Sequence, residues 1–264
     1  MLNRCNSGTD STVWMGEDGY RPLLLSVISG TRRSVDPRAF FMEKEMKNTI
    51  STRYLATTAM FVVIAYLAVL TARWIPNVAG FLSYEPKDAV IVIAGFIFGP
   101  LTCVIVSILT SLIELLSVSG TGLYGFLMNV VSTCAFTVPA AWIYQKNRTQ
   151  KGAMMGLGLG ILTMAACMVL WNYIITPFYM GVPREQVAGM LASVFLPFNL
   201  VKGGINAALA MLLYKPVVTA LRKSGLVEQP AGGKKGRFSP GFTLFALAVL
   251  ATFVLWFLVL AGVL

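Results

Sequence analysis

The chain has 264 residues, 56% of them hydrophobic and only 12% charged, with a mean hydropathy of +0.73. An ordinary soluble domain carries about 25% charged residues, so a soluble domain is excluded, and so is a disordered chain, because this much apolar surface must be buried. The formal net charge is +10, the pI is about 9.6, and there is no His, which removes His-ligated metal sites and His acid–base chemistry.

Residues 1–53 are polar and hold six of the eleven acidic residues. No apolar core followed by a small-residue cleavage site lies near Met1, so this is not a signal peptide. It reads as a cytoplasmic polar region, with Met42 or Met46 as alternative starts. Apolar segments follow. The first runs from about Tyr54 to Ala72, and the loop RWIPNVAGFLSYEPKD comes next. Ala89 to about Val118 is apolar but broken at Gly99-Pro100, and Gly120-Thr121-Gly122 breaks the chain again. Further spans cover about Leu123–Tyr144, Ala153–Phe178 and Val187–Tyr214. A basic, Gly-rich linker occupies 215–240, and a last apolar run covers 241–264. The four cysteines form no CxxC pair, and Cys103, Cys134 and Cys167 sit in apolar runs, where Cys behaves as a small hydrophobe. No metal, cofactor or catalytic residue is expected.

Charge decides whether 89–118 crosses a membrane once or twice. With two crossings, 17 of the 21 Lys and Arg fall in the N-terminal region, the 145–152 loop and the 215–240 linker, all on one side. Only Arg73, Lys87 and Arg184 fall on the other, and Lys202 lies within a span. The positive-inside bias therefore favours two crossings and a cytoplasmic N-terminus. It also accounts for the basic pI without nucleic acid. The expected fold is an all-α integral membrane protein: a six-helix domain over 54–214 plus a seventh, C-terminal transmembrane helix. That last run carries no charge, Asn or Gln, and reads as a lipid-facing anchor.

Polar groups inside a membrane are costly and mark function by default. They are Glu114, Asn129, Asn172, Asn199, Lys202 and Asn206. Asn199 and Lys202 share a helix face at i, i+3, between Pro197 and Gly203-Gly204, which permit an irregular backbone. Lys202 either lines an aqueous pocket or pairs with Glu114. Asn172 lies between Trp171 and Tyr173, and an amide beside aromatic rings suits a flat heteroaromatic ligand. Asn129 is a further candidate, whereas Asn206 reads as a helix–helix contact. Glu85, Lys87 and Asp88 in SYEPKD are placed to bind a hydroxylated ligand, to gate the site, or simply to be solvated. Ala68 and Ala72 give the first span a small-residue face, fit for close approach by a partner helix or for internal packing. The glycines of KGAMMGLGLG lack the strand and the GK[ST] of a phosphate loop, so they read as helix packing. The chain has no Walker motif.

Four blocks, FLSYEPKDAVIVIAGFIFGPL, SGTGLYGFLMNVVSTC, WNYIITPFYMGVPRE and FLPFNLVKGGINAALAMLLYKPVV, resemble the riboflavin-binding S component of energy-coupling-factor (ECF) vitamin importers. The resemblance spans about 54–223 and omits 1–45 and the seventh apolar run. It implies a six-helix bundle with a pocket near the outer face, one transmembrane T component and two cytoplasmic ATPases as partners, and toppling of the whole subunit to release vitamin inside. By resemblance, Asn172, Asn199 and Lys202 contact the isoalloxazine ring, Glu85 sits near the ribityl chain, and the Ala face of the first helix docks on the T component. The ligand identity comes from the resemblance alone. Another vitamin or precursor, such as thiamin, a folate or a queuosine precursor, is the competing ligand class. An intramembrane enzyme is disfavoured by the absence of His and of paired intramembrane carboxylates. A stand-alone ion-coupled carrier is disfavoured by the lack of an internal repeat.

Overall fold

A computed structural model describes residues 52–118, 120–227 and 240–264. The polar N-terminal region with its alternative starts, and residues 228–239 of the basic linker, lie outside the described residues. The described chain is helical, and its only strand-like pairing is an isolated bridge between Val78 and Leu82. Helix α1 spans Thr52–Ala72, α2 Lys87–Phe98, α3 Pro100–Ser117, α4 Gly122–Lys146 and α5 Gln150–Met180. A short α6, Arg184–Met190, runs through a π-helical turn, Leu191–Phe195, into α7, Leu196–Lys223. Helix α8 covers Pro240–Leu260.

The expected break inside 89–118 is present. Gly99 adopts φ 110°, which a side chain would disfavour, and Pro100 supplies the first residue of α3. The two halves differ in length, however. Helix α2 has 12 residues, about 18 Å at 1.5 Å per residue, short of a hydrocarbon core of roughly 30 Å. Among the described residues six helices are long and apolar enough to cross a membrane, counting α6 to α7 as one and excluding α2. Helix α2 is short because the 73–86 segment enters the bundle before α2 begins, so Lys87 and Asp88 are fully buried. At the other boundary, helix continues to Lys223 through Pro216, beyond the Tyr214 limit read from hydropathy. Val217, Val218 and Leu221 continue its packed face between the charges of Lys215 and Arg222-Lys223.

Helices α4 and α5 form the most extensive pairing. The glycine run of α5 explains it. A Cβ at Gly156 would stand 2.7 Å from the Ala140 carbonyl oxygen, and one at Gly160 would collide with that of Phe136. Thr163 Oγ1 donates across the same seam to Ala135 O at 2.7 Å. Without a hydrophobic force between helices in lipid, such backbone proximity is what stabilises the pair. The main core gathers Phe61, Ile91, Val92, Phe136, Leu157 and Met164, among others, from α1, α2, α4 and α5. At the end near Gly99, Tyr144 and Tyr214 share a 2.8 Å hydrogen bond.

Helix α8 is largely exposed, as an anchor would be, yet Ala246 and Phe257 are buried. It packs on α7 and on the 73–86 segment, so the lipid-anchor expectation describes only its outer side.

Gly160→Val should lower the melting temperature in detergent, since overpacking costs about 1–3 kcal/mol. Gly158→Val, where nothing lies within 4 Å of the new Cβ, should melt close to wild type. Equal losses from the two would contradict the close approach of α4 and α5.

Candidate functional site

One end of the bundle contains a cavity of about 410 Å³, within the usual range for small-ligand sites. The residues that line it come from α1, α3, α4, α5, the π-helical turn and α7, plus the 73–86 segment and the 118–121 connection. Glu85, Asn129, Asn172, Asn199 and Lys202 all face it. Sequence positions 85 to 202 are thus brought to one wall-and-floor arrangement.

The floor is ionic. Lys202 Nζ lies 2.6 Å from Glu85 Oε2 and 3.6 Å from Asp88 Oδ2, and donates to Ser132 Oγ at 3.4 Å. Lys87 Nζ donates to Glu85 Oε1 at 2.9 Å and to Glu114 Oε2 at 2.7 Å. Asn129 Nδ2 donates to Glu114 Oε1 at 3.1 Å, and Thr133 Oγ1 to Asp88 Oδ1 at 2.6 Å. Two ammonium groups therefore serve three carboxyl groups, with three α4 side chains completing the set. Burial alone would raise the Glu85 carboxyl, but the Lys202 and Lys87 ammonium groups outweigh it and hold it down at about 2. Glu85 is thus an ionised acceptor at neutral pH.

This arrangement corrects two readings. Lys87 is not in an exposed loop and does not line the cavity: it is 0% exposed and ties Glu85 to Glu114 from below. A charge at the end of an apolar helix reads equally as a ligand contact, a gate or a solvated loop residue, because sequence gives no depth. Lys202 does have a carboxylate partner, but it is Glu85, and Glu114 belongs to Lys87.

The amides sit on the walls. Asn172 Nδ2 donates to Met168 O at 2.7 Å and its Oδ1 accepts from Thr176 at 3.0 Å. Asn199 Nδ2 donates to Phe195 O at 2.8 Å, next to the π-helical turn that the Pro197 context made possible. The aromatic partners differ from those beside Asn172 in sequence. Adjacent helical residues do not share a face, and Tyr173 is 40% exposed. The rings at the cavity are Phe81, Tyr84, Tyr179, Phe195 and Phe198, with Phe81 and Phe195 centroids 5.9 Å apart. Sequence missed them because their wall is assembled from the loop and the π turn. Asn206 is buried but is more than a helix contact: it accepts from the Tyr84 hydroxyl at 3.2 Å and donates to the Glu85 carbonyl at 3.1 Å. Burial, and then Asp88, push the Tyr84 hydroxyl pKa up, so it stays a neutral donor.

Of the docking face expected at Ala68 and Ala72, only Ala68 stays partly open, beside the exposed Leu67 and Thr71. Ala72 is buried and lines the cavity, and Ala68 is half-buried. The exposed alanines of α1 are Ala56 and Ala59. Small-residue spacing alone does not tell an inner face from an outer one.

A bundle of membrane-length helices around a polar, ring-lined cavity defines a multi-pass membrane protein that binds a small molecule. A family model described as "ECF transporter, substrate-specific component" matches residues 53–214, and the chain belongs to that family. It is 28% identical over 195 residues to the riboflavin transporter RibU of Streptococcus thermophilus, covering 70% of this chain and 89% of that one. It is 25% identical over 182 residues to RibU of Staphylococcus aureus, covering 67% and 96%. The riboflavin transporter FmnP of Bacillus subtilis matches at 25% over 175 residues. A solved structure of the S component of a bacterial ECF transporter superposes with a TM-score of 0.56 at 26% identity, covering 64% of this chain and 97% of that one. Helix α8 lies beyond residues 53–214, the stretch the family model matches.

Lys87→Met leaves two buried carboxylates without their shared ammonium, a change that costs roughly 3–5 kcal/mol when a buried ion loses its partner. Its melting temperature in detergent should fall far more than that of Asn129→Ala, which removes a single neutral donor worth about 1 kcal/mol. Comparable melting of the two would mean that Lys87 is solvated.

Proposed function

We propose that this chain is the riboflavin-binding subunit of an ECF-type importer, taking the vitamin from the outer face and delivering it inward with a T component and two ATPases. The observation that carries the reading is the cavity itself, which is lined by amides, an ammonium and carboxylates together with several aromatic rings. Flavin offers carbonyl and ring-nitrogen acceptors and an imide donor along one edge, a flat ring to stack, and a polyol chain. Asn172 and Asn199 each supply donor and acceptor, and Lys202 supplies donors only. Glu85 is an acceptor for the ribityl hydroxyls. The relatives named as riboflavin transporters are matched over most of their length, which supports riboflavin over other vitamins. With no Walker motif of its own, the chain leaves ATP hydrolysis to partner chains and acts as a non-enzymatic binding subunit.

Orientation follows from charge. Arg53, Lys146, Arg148, Lys151, Arg222 and Lys223 lie at or beside helix ends, and Lys215 within the last third of α7, all outside the cavity lining. Arg73 and Arg184 are the exposed basic residues of described segments at the cavity end. The positive-inside bias then puts the cavity outside and the N-terminus in the cytoplasm.

The purified protein should be yellow and should quench riboflavin fluorescence on titration. Asn172→Leu and Asn199→Leu should each weaken riboflavin about ten- to a hundredfold, since an unmatched polar group in a dry site costs about 1–3 kcal/mol. Wild-type affinity in both would remove these amides from the site. Tight binding of thiamin or a folate with no flavin binding would overturn the ligand.

In a Cys-free background, a cysteine at Asn77 should react with an impermeant thiol reagent in whole cells, while one at Gln150 should be shielded. The opposite pattern would invert the topology.

A further inference from the structure

Helix α8 runs antiparallel to α7: Leu250, Phe253 and Phe257 share an apolar cluster with Leu209, Ile205 and Val201. Lipid is as apolar as a Leu side chain, so a Phe gains little by leaving it unless the packing is close. Two contacts on α8 are close. The Phe253 ring rests on Gly204, where any Cβ would stand 2.5 Å from three ring atoms. The Phe257 ring meets Tyr84 edge-on, with centroids 5.9 Å apart at 63°.

Tyr84 is the residue before Glu85 and faces the cavity. Five consecutive residues, Phe81 to Glu85, make up that wall, and they belong to a segment with almost no regular structure. Its internal order is the Val78–Leu82 bridge, with bonds of 2.9 and 3.0 Å. Its external supports are the pairs of Glu85 with Lys202 and Lys87, the two Asn206 bonds, the bond from Arg73 to the Val118 carbonyl, the Phe81–Phe195 ring contact, and the apolar backing of Val78, Leu82 and Tyr84 by Phe257. All but the last come from inside residues 53–214, which the family model matches. The last comes from α8, outside them.

We propose that α8 clamps the 73–86 wall, and that Phe257 is a positioning residue that holds Tyr84 and Glu85 in binding geometry and so slows ligand release. A wall with fewer packed contacts opens more often, and ligand leaves through openings. The choice of riboflavin as probe rests on the proposed function above, whereas the clamp itself does not.

The test uses the full chain in detergent. In ligand-free Phe257→Ala, hydrogen exchange at the Val78 and Leu82 amides should quicken about tenfold as the ring contact is lost. The riboflavin off-rate should rise by about the same factor, with the on-rate within about twofold of wild type, because packing acts chiefly on release. Gly204→Val, which pushes Phe253 off α7, should reproduce both changes without touching the loop. Val259→Ala, on the 58% exposed side of α8, should change neither. Unchanged exchange in both Phe257→Ala and Gly204→Val, with melting near wild type, would make α8 an anchor only. Faster exchange with an unchanged off-rate would overturn the role in release. If wild-type protein binds no riboflavin, the exchange measurements still decide the clamp, so the two failures are separable.

Discussion

The ion-pair network of Glu85, Lys87, Asp88, Glu114 and Lys202 is the constraint around which the rest of the molecule is arranged. Charges at membrane depth persist only when paired and hydrogen-bonded. Here the pairing joins a loop, α2, α3 and α7, with Asn129, Ser132 and Thr133 of α4 filling the remaining positions. No two of the five charges could be satisfied by their own helix alone. The network therefore dictates that the 73–86 segment enters the bundle, that α2 starts deep and is short, and that α3 and α4 present Glu114 and Asn129 at the same level.

The same network limits how a ligand can bind. Lys202 already faces Glu85, Asp88 and Ser132 with its three donors. A ligand offering only acceptors would take Lys202 from Glu85 and leave a buried carboxylate underserved. A ligand that brings hydroxyl donors along with its acceptors can replace what it removes. That is a physical reason for a polyol-bearing heteroaromatic to suit this cavity better than a purely apolar or purely anionic molecule. It also makes Lys202→Met a poor probe of binding, because the substitution strips the network before any ligand arrives. Substitutions of Asn172 and Asn199 avoid that confusion, since their hydrogen bonds stay within their own helices.

Much of the fold was legible because lipid makes its demands in one dimension. Apolar run length, the Gly99-Pro100 break and the Lys/Arg bias locate the helices to within a few residues, except at the end of α7, which runs nine residues past Tyr214. The cost of polarity inside lipid picked out Asn172, Asn199 and Lys202 as cavity residues before any coordinates. Depth and pairing were not legible. Sequence leaves Lys87 as a ligand contact, a gate or a solvated charge, because its partners lie at positions 85 and 114 and nothing in the local pattern reports that the loop turns inward. Phe195 and Phe198 looked like ordinary span residues because their aim depends on a π-helical turn. Ala72 had the right spacing for an interface but the wrong side of α1, and helical period alone does not fix rotation.

The cavity thus combines two kinds of wall. Its floor and helical sides are fixed by charges and backbone bonds whose loss would cost several kcal/mol each, so ligand traffic cannot depend on moving them. The 81–85 wall has no helical ladder: Glu85 ties its end to the ionic floor, but residues 81–84 are held only by the Phe81–Phe195 contact, the Val78–Leu82 bridge, the Tyr84–Asn206 bond and the ring of Phe257. Motion concentrates where local contacts are cheapest to break. A site with a rigid floor and one weakly held wall can keep its specificity in the first while setting its exchange rate in the second. An added helix that packs on α7 and on this wall, but on none of the charged groups, can then change residence time without redesigning the polar contacts that choose the ligand.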